Sequence, residues 1–167
     1  FIDPTLSDLL DPGATTVSLT NPMSQDMSHM RTTLWPGLLK TLIANASRQQ
    51  TRARLFELGR CFRSADSELT QPVLLGGVLW GARLPENWAN ERGGVDFFDI
   101  KGDVERVLEQ SGFASLRYEQ ADDRVLHPGQ SATVWSDDIA LGRFGRLHPE
   151  LEHRLDRLED VHRSVAA

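Results

Sequence analysis

Hydrophobic positions change period inside the stretch from Met30 to Arg63, and the change divides it into a helix and a strand. Leu38, Leu39, Leu42, Ile43 and Ala46 recur at the spacing of one helical face. Pro36 suits the first turn, where its missing N–H is harmless. After polar Ser47 to Gln50 the period falls to two. Phe56, Leu58 and Phe62 then share one side of a strand, while Leu55, Glu57, Cys61 and Arg63 share the other. The first face is greasy and the second is mixed.

The same patterning can be followed along the rest of the chain. Leu6, Leu9 and Leu10 allow one or two helical turns, stopped by Asp11, Pro12 and Gly13. Thr15 to Thr20 is β-branched and short, which predicts a strand ended by Asn21-Pro22. The stripe Met23, Met27 and Met30 is expected to pack a core rather than to hold a ligand. Ser64 to Gln71 is polar and turn-like, and Pro72 leads into the apolar run PVLLGGVLWGAR, a buried strand antiparallel to the one before it. Its Gly76, Gly77 and Gly81 allow a bulge or the close approach of another backbone. Leu84 to Gly94 reads as a surface loop anchored by Trp88.

Asp99 is the expected N-cap of a second helix, in which Ile100, Val104, Val107 and Leu108 form one face before Gly112 closes it. Leu116 to Gln120, Ser131 to Trp135 and Ile139 to Leu147 read as strands, with Ser136, Asp137 and Asp138 turning between the last two. A third amphipathic helix, with Leu151, Leu155 and Leu158 on one face, follows His148-Pro149. Short turns between consecutive strands predict an α+β fold, an antiparallel sheet flanked by helices.

Composition narrows the choice of partner. In 167 residues, 18 basic against 24 acidic side chains leave a net charge of −6, so binding to nucleic acid would need a local basic patch. Arg48, Arg52, Arg54, Arg60 and Arg63 are opposed only by Glu57, yet strand alternation distributes them over two faces. The single cysteine, Cys61, excludes an internal disulfide and suits a reducing, cytoplasmic setting. No run approaches the length of about 18 apolar residues that a spanning helix requires, so no membrane partner is expected. The start on Phe1 and the end on Ser164-Val165-Ala166-Ala167 read as a segment of something longer.

Candidate chemistry is sparse. Neither a Gly-rich phosphate loop nor paired Cys-x-x-Cys or His-Glu-x-x-His ligands occur. Asp96, Asp99, Asp103 and Glu105 cluster in sequence, but acidic residues belong near a helix start, so no metal site is expected there. His148, His153 and His162 lack chelating spacing. His127 and His148, each before a proline, read as loop-positioning residues, with a catalytic pair as the alternative.

Four blocks then stand out together: NPMSQDMSHMRTTLWPGLLKTLIANASRQQTRARLFELGRCFR, VDFFDIKGDVERVL, HPGQSATV and GRFGRLHPELEHRLD. In that order and spacing, from Asn21 to Asp156, they resemble the B6–B7 core of the β subunit of bacterial phenylalanyl-tRNA synthetase. The resemblance implies a partial class II aminoacyl-tRNA synthetase-like fold. Residues 1–20 would be a lead-in segment and 21–167 an incomplete, catalytically inactive core. It also implies support of the α subunit in an α2β2 assembly that charges tRNA(Phe) with phenylalanine. ATP and magnesium would serve the full synthetase, with no cofactor in this segment. The family's editing module, metal-binding acidic residues and anticodon-binding domain would lie outside these residues, so tRNA(Phe) would be met by other domains.

In active relatives an arginine at the end of the corresponding strand contacts the ATP α-phosphate, with an acid and a glutamine opposite. Arg63 matches the arginine. The strand opposite reads Val73-Leu74-Leu75-Gly76-Gly77, which has no such partners, so a salt bridge or subunit contact is the expected role of Arg63. Arg31, Leu34 and Trp35 are the candidate contacts to the α subunit, because a large aromatic and an arginine are common interface anchors. The alternative for Trp35 is to staple its own helix to the sheet. Two other functions stay open: a small nucleotide-binding class II-like enzyme using Arg63, and a tRNA-contacting surface.

Overall fold

The computed structural model describes residues 4–22, 24, 28–65, 68–90 and 93–155. They form an α+β arrangement of helices and small antiparallel sheets, divided into two compact units, Phe1–Trp80 and Gly81–Ala167.

In the first unit, helix α1 (Pro4–Leu10) buries Ser7 and Leu10 and is followed by Gly13 at a φ of +88°, a backbone state that favours glycine. The expected strand at Thr15 to Thr20 is reduced to one bridge, Ser18 to His29, flanked by backbone bonds from Leu19 to Ser28 and from Met30 to Val17. Met30 is half-buried; Met23 and Met27 lie outside the described residues. Helix α2 (Trp35–Ala46) begins with Pro36 in its first turn, as the sequence predicts, and buries Pro36, Leu38 and Leu39. Leu42, Ile43 and Ala46 continue the stripe, half-buried.

Strand β1 (Arg52–Arg60) pairs with β4 (Val73–Gly81), which is not the buried strand its apolar run predicts, since Val73 and Leu75 on its outer face are exposed. The pair runs antiparallel, since Cys61 N–H donates to Pro72 O at 3.0 Å while Gly77 lies against the Leu55 carbonyl. Between them the polar stretch is not only a turn: β2 (Arg63–Ala65) and β3 (Glu68–Thr70) form a three-rung antiparallel hairpin. The alternation in β1 is the expected one, but the mixed face packs inward. Leu34, Leu38 and Cys61 form the core cluster, with Trp35, Leu55, Leu74 and Val78 against it, while Phe56 and Leu58 point to solvent. Gly76 permits this packing, because a Cβ there would lie 3.1 Å from Leu34 Cβ and 3.2 Å from Leu38 Cδ1.

In the second unit, helix α3 (Phe97–Gln110) lies on a sheet of β5 (Leu116–Gln120), β6 (Leu126–Ser136) and β7 (Ile139–Leu147) in the order β5-β6-β7. Both pairings are antiparallel. Ile100, Val104 and Leu108 of α3 pack onto Ala132, Val134 and Phe144, and Phe97 stacks on Phe144 at 5.5 Å, while Val107, expected on the same face, is exposed. Strand β6 starts five residues before the expected Ser131. It passes through Pro128 because the register slips between Leu126 and Ser131, where a missing N–H costs no ladder bond. Asp137, at a φ of +51°, makes the expected turn into β7. A fourth helix, α4, runs from 149 through the last described residue, 155, burying Leu151 and Leu155; Leu158 lies outside the described residues. Among the described residues no helix is long and apolar enough to cross a membrane.

Of the loop expected from Leu84 to Gly94, the described residues 84–90 and 93–94 carry no helix or strand, but Trp88 does not anchor them. Its ring is 98% exposed. The loop is held by polar bonds: Asn87 Oδ1 accepts from Ala89 and Asn90 N–H, and Asn90 Nδ2 donates to Pro85 O.

Candidate functional site

The end of β1 is stitched to the entry of α2 through Arg31. Its Nε donates to Arg60 O at 2.9 Å, its guanidinium pairs with the Glu57 carboxylate, and its own carbonyl accepts from Phe62 N–H at 2.8 Å. Gly59 makes this crossing possible, since a Cβ at that position would collide with the Arg31 guanidinium. Glu57 can therefore sit on the inward face of β1, because Arg31 supplies the opposite charge. Their separation of 26 residues kept this pair out of reach of any sequence pattern.

Cys61 is fully buried beneath the pair, the small apolar filler its position predicts. Burial pushes its thiol up, against the opposing pull of Arg31 and Arg63, so it stays neutral and unreactive in the folded chain.

Arg63 opens β2 and is exposed, and its carbonyl accepts from Thr70 Oγ1 at 3.3 Å. Its guanidinium has no acceptor among the described residues. Val73 to Gly77 does not lie opposite Arg63 as the sequence suggests: the cross-strand partner of Arg63 is Thr70 of β3, and β4, which pairs with β1 instead, carries no charged side chain. Leu74 and Val78 face the core, Val73 and Leu75 face outward, and Gly76 and Gly77 carry no side chain. A phosphate at Arg63 would meet one cation and no second polar side chain from Val73 to Gly81.

The three subunit-contact candidates converge here. Leu34 is 2% exposed in the core cluster, Trp35 packs half-buried against that cluster, and Arg31 is engaged with Glu57. Leu34 and Trp35 thus fasten α2 to the β1–β4 ribbon.

In the second unit the acidic residues have structural tasks. Asp96, not Asp99, is the N-cap of α3, which starts three residues earlier than expected. Asp96 Oδ1 accepts from Phe98 and Asp99 N–H, and Asp99 Oδ2 accepts from Asp96 N–H, a reciprocal capping box. Arg83 bridges the two, donating to Asp96 Oδ2 at 2.7 Å and Asp99 Oδ2 at 3.0 Å. Asp103 pairs with Arg106 and Glu105 with Lys101. Among the described residues no group of three or more His, Cys, Asp or Glu could hold a metal. The helix closes at Gly112, as expected, with Gly112 N–H donating to Glu109 O and Phe113 N–H to Leu108 O. Replacing Asp96 by alanine is expected to cost about 1 kcal/mol, read as a lowered urea midpoint with unchanged slope. Asparagine, which keeps the capping oxygen, should recover most of it.

The histidines position backbone. His127 Nδ1 accepts from Gly129 N–H at 3.0 Å, and His148 Nδ1 accepts from Glu150 N–H at 3.3 Å at the start of α4. His148 also borders a cleft of about 400 Å³ lined by Asp122, Asp123, Leu126, Leu151 and Arg154. The cleft carboxylate of Asp123 is already ion-paired with Arg143 at 2.7 Å, and Arg154 with Glu150 at 3.1 Å. His162 lies outside the described residues.

Residues 1–161 match the family model described as phenylalanyl tRNA synthetase beta chain CLM domain. Similar proteins include the phenylalanine–tRNA ligase beta subunits of Pseudomonas putida, 48% identical over 156 residues, and Photorhabdus laumondii subsp. laumondii, 47% identical over 160 residues. That of Pectobacterium atrosepticum is 42% identical over 160 residues. In each case the match covers 93% of this chain and 20% of the relative, so the chain spans about a fifth of the length of these proteins. The helix and ribbon of the first unit and the capped helix of the second both lie within these matches, and the chain belongs to the phenylalanyl-tRNA synthetase beta chain family.

Proposed function

We propose that this chain is a non-catalytic, class II synthetase-like core of a phenylalanyl-tRNA synthetase β subunit. In this proposal residues 21–167 form the incomplete core and 1–20 its lead-in. Its role is to support the α subunit within a cytoplasmic α2β2 assembly that charges tRNA(Phe) with phenylalanine. ATP and magnesium act in the α subunit, and tRNA(Phe) is bound by other domains.

The observation that supports this proposal is the apolar make-up of β4, the strand paired with β1, while Arg63 itself stands opposite Thr70 in the separate β2–β3 hairpin. Phosphoryl chemistry needs several groups converging on the developing charge, and β4 supplies only Val, Leu, Gly and Trp side chains. Arg63 alone can orient no nucleotide. The interface with the α subunit would use the half-exposed surfaces of Arg31 and Trp35, with Leu34 seating them from the core.

Capture of a phenylalanyl-tRNA synthetase α subunit on the immobilised chain tests this proposal. Retention of the α subunit is expected, weakened at least tenfold by Trp35→Ala. A Trp35→Ala chain that melts lower but retains the α subunit equally well would remove Trp35 from the interface. Calorimetric titration with ATP and magnesium should give no binding tighter than about 1 mM, and a tighter site abolished by Arg63→Ala would overturn the non-catalytic assignment.

A further inference from the structure

The segment that carries Trp88 is closed at its base. Arg83 N–H donates to Gly93 O at 2.8 Å, Val95 N–H donates to Gly81 O at 2.9 Å, and Ala82 and Gly94 form a bridge between these bonds. The ion pairs of Arg83 with Asp96 and Asp99 then tie the base to the start of α3. Past the base, Asn87 Oδ1 accepts from Ala89 and Asn90 N–H, which fixes the backbone on both sides of Trp88. Loops with such closed bases are frequently functional. Trp88, midway along the chain between Arg83 and Gly93, has its ring in water. Phe98 and Leu84, 73% and 45% exposed, lie on the two segments that the Arg83–Asp96 pair joins at 2.7 Å.

We infer that Trp88 is an anchor for the α subunit, inserting its ring into an apolar pocket of that subunit. This inference rests on the supporting role proposed above. The aromatic and the cation expected to make that contact are largely drawn inward, since Trp35 packs against the core cluster and Arg31 pairs with Glu57. Trp88 has no such internal task. The bonds that hold its loop are made by backbone and by asparagine and arginine side chains, so the ring is free to serve a partner. An indole has only two side-chain torsions, and its loop is already ordered, so insertion forfeits little conformational freedom. Tryptophan is accordingly enriched among the residues that carry interface energy.

The charge around the ring favours a protein pocket over RNA. A base stacked on Trp88 would bring its phosphates among Glu86, Glu91, Asp96 and Asp99, which outnumber Arg83 and Arg92 in this segment. Arg83 is already paired with two of those acids. The pocket that fits is apolar, offers an acceptor to the indole N–H, and carries a basic rim for exposed Glu86.

Hydroxyl-radical footprinting of the intact β subunit, read by mass spectrometry with and without the α subunit, tests the inference. Trp88 should be oxidised readily in the β subunit alone and severalfold more slowly once the α subunit is bound. Trp88→Ala should weaken capture of the α subunit by about tenfold or more while leaving the thermal melt of the chain unchanged, and Trp88→Phe should recover part of the loss. Equal oxidation in a complex verified by gel filtration would overturn the inference and leave the supporting role standing. Failure of the α subunit to join the β subunit would overturn both. Protection already present in the isolated β subunit would assign the ring to that chain or to a second copy of it. Protection by tRNA(Phe) alone would assign it to RNA, and either result would overturn the inference.

Discussion

Gly145→Ala is expected to destabilise the second unit by about 3 kcal/mol, at the upper end of the overpacking range. A Cβ at this position would stand 2.5 Å from Gln130 O, 2.7 Å from Ser131 Cα and 2.8 Å from Ser131 Cβ. Two of these neighbours are backbone, so no side-chain rotation can make room. The strands themselves would have to separate where Ser131 pairs with Gly145, beside the register slip that carries β6 past Pro128. Gly142, three residues earlier on the same strand, is the control. Nothing lies within 4 Å of its would-be Cβ, and alanine there should change stability by less than about 0.5 kcal/mol. Hydrogen exchange of the β6 and β7 amides in the two variants would measure the difference, with protection lost only in the first. The two glycines of GRFGRLHP therefore have different standing. Gly145 is required by a close strand approach, not by a phosphate.

Elements set by local periodicity were legible. The Leu38–Ala46 stripe of α2, the Ile100–Leu108 face of α3 and the tight turn at Asp137 each depend on residues within a few positions of one another. The α3 cap was legible only in part. Asp96 and Asp99 have the spacing of a capping box, and either can begin a helix by propensity alone. The bonds from Phe98 and Asp99 N–H decide for Asp96. What lay beyond the sequence depended on partners far along the chain. β1 alternates as predicted, but only the placement of Leu34 and Leu38 over Leu55 and Cys61 determines which face is buried. Glu57 can lie inward because Arg31, 26 residues earlier, neutralises it. Trp88 illustrates the converse. Its size argued for an anchor, yet two asparagines hold the loop and leave the ring in water. At the candidate site, the apolar make-up of β4 could be read from Val73 to Gly77, whereas the pairing of Arg63 with Thr70 in a separate hairpin and the stapling by Arg31 across Gly59 could not.

Leu34→Ala should lower the stability of the first unit by roughly 3–5 kcal/mol, more than most single changes in this chain. The side chain is 2% exposed and touches the groups least able to close around its absence. Gly76 has no side chain to swing in, Cys61 is small and already fully buried, and Leu38 is fixed by the helix one turn away. Truncating Leu34 also loosens the attachment of α2 to the ribbon, since its side chain packs against Gly76 just before the first helical residue. A urea titration followed by circular dichroism would register the loss, and Leu34→Met, nearly equal in volume, should restore most of it. Phe56→Ala, removing a larger but 81% exposed ring, should move the same curve by less than about 0.5 kcal/mol. The contrast separates two kinds of apolar residue on one short ribbon. Leu34 works inside the fold, and its loss would weaken every contact the unit makes by reducing the folded fraction. Phe56 contributes little to the fold, so any effect of its removal on association must arise at the outward face itself.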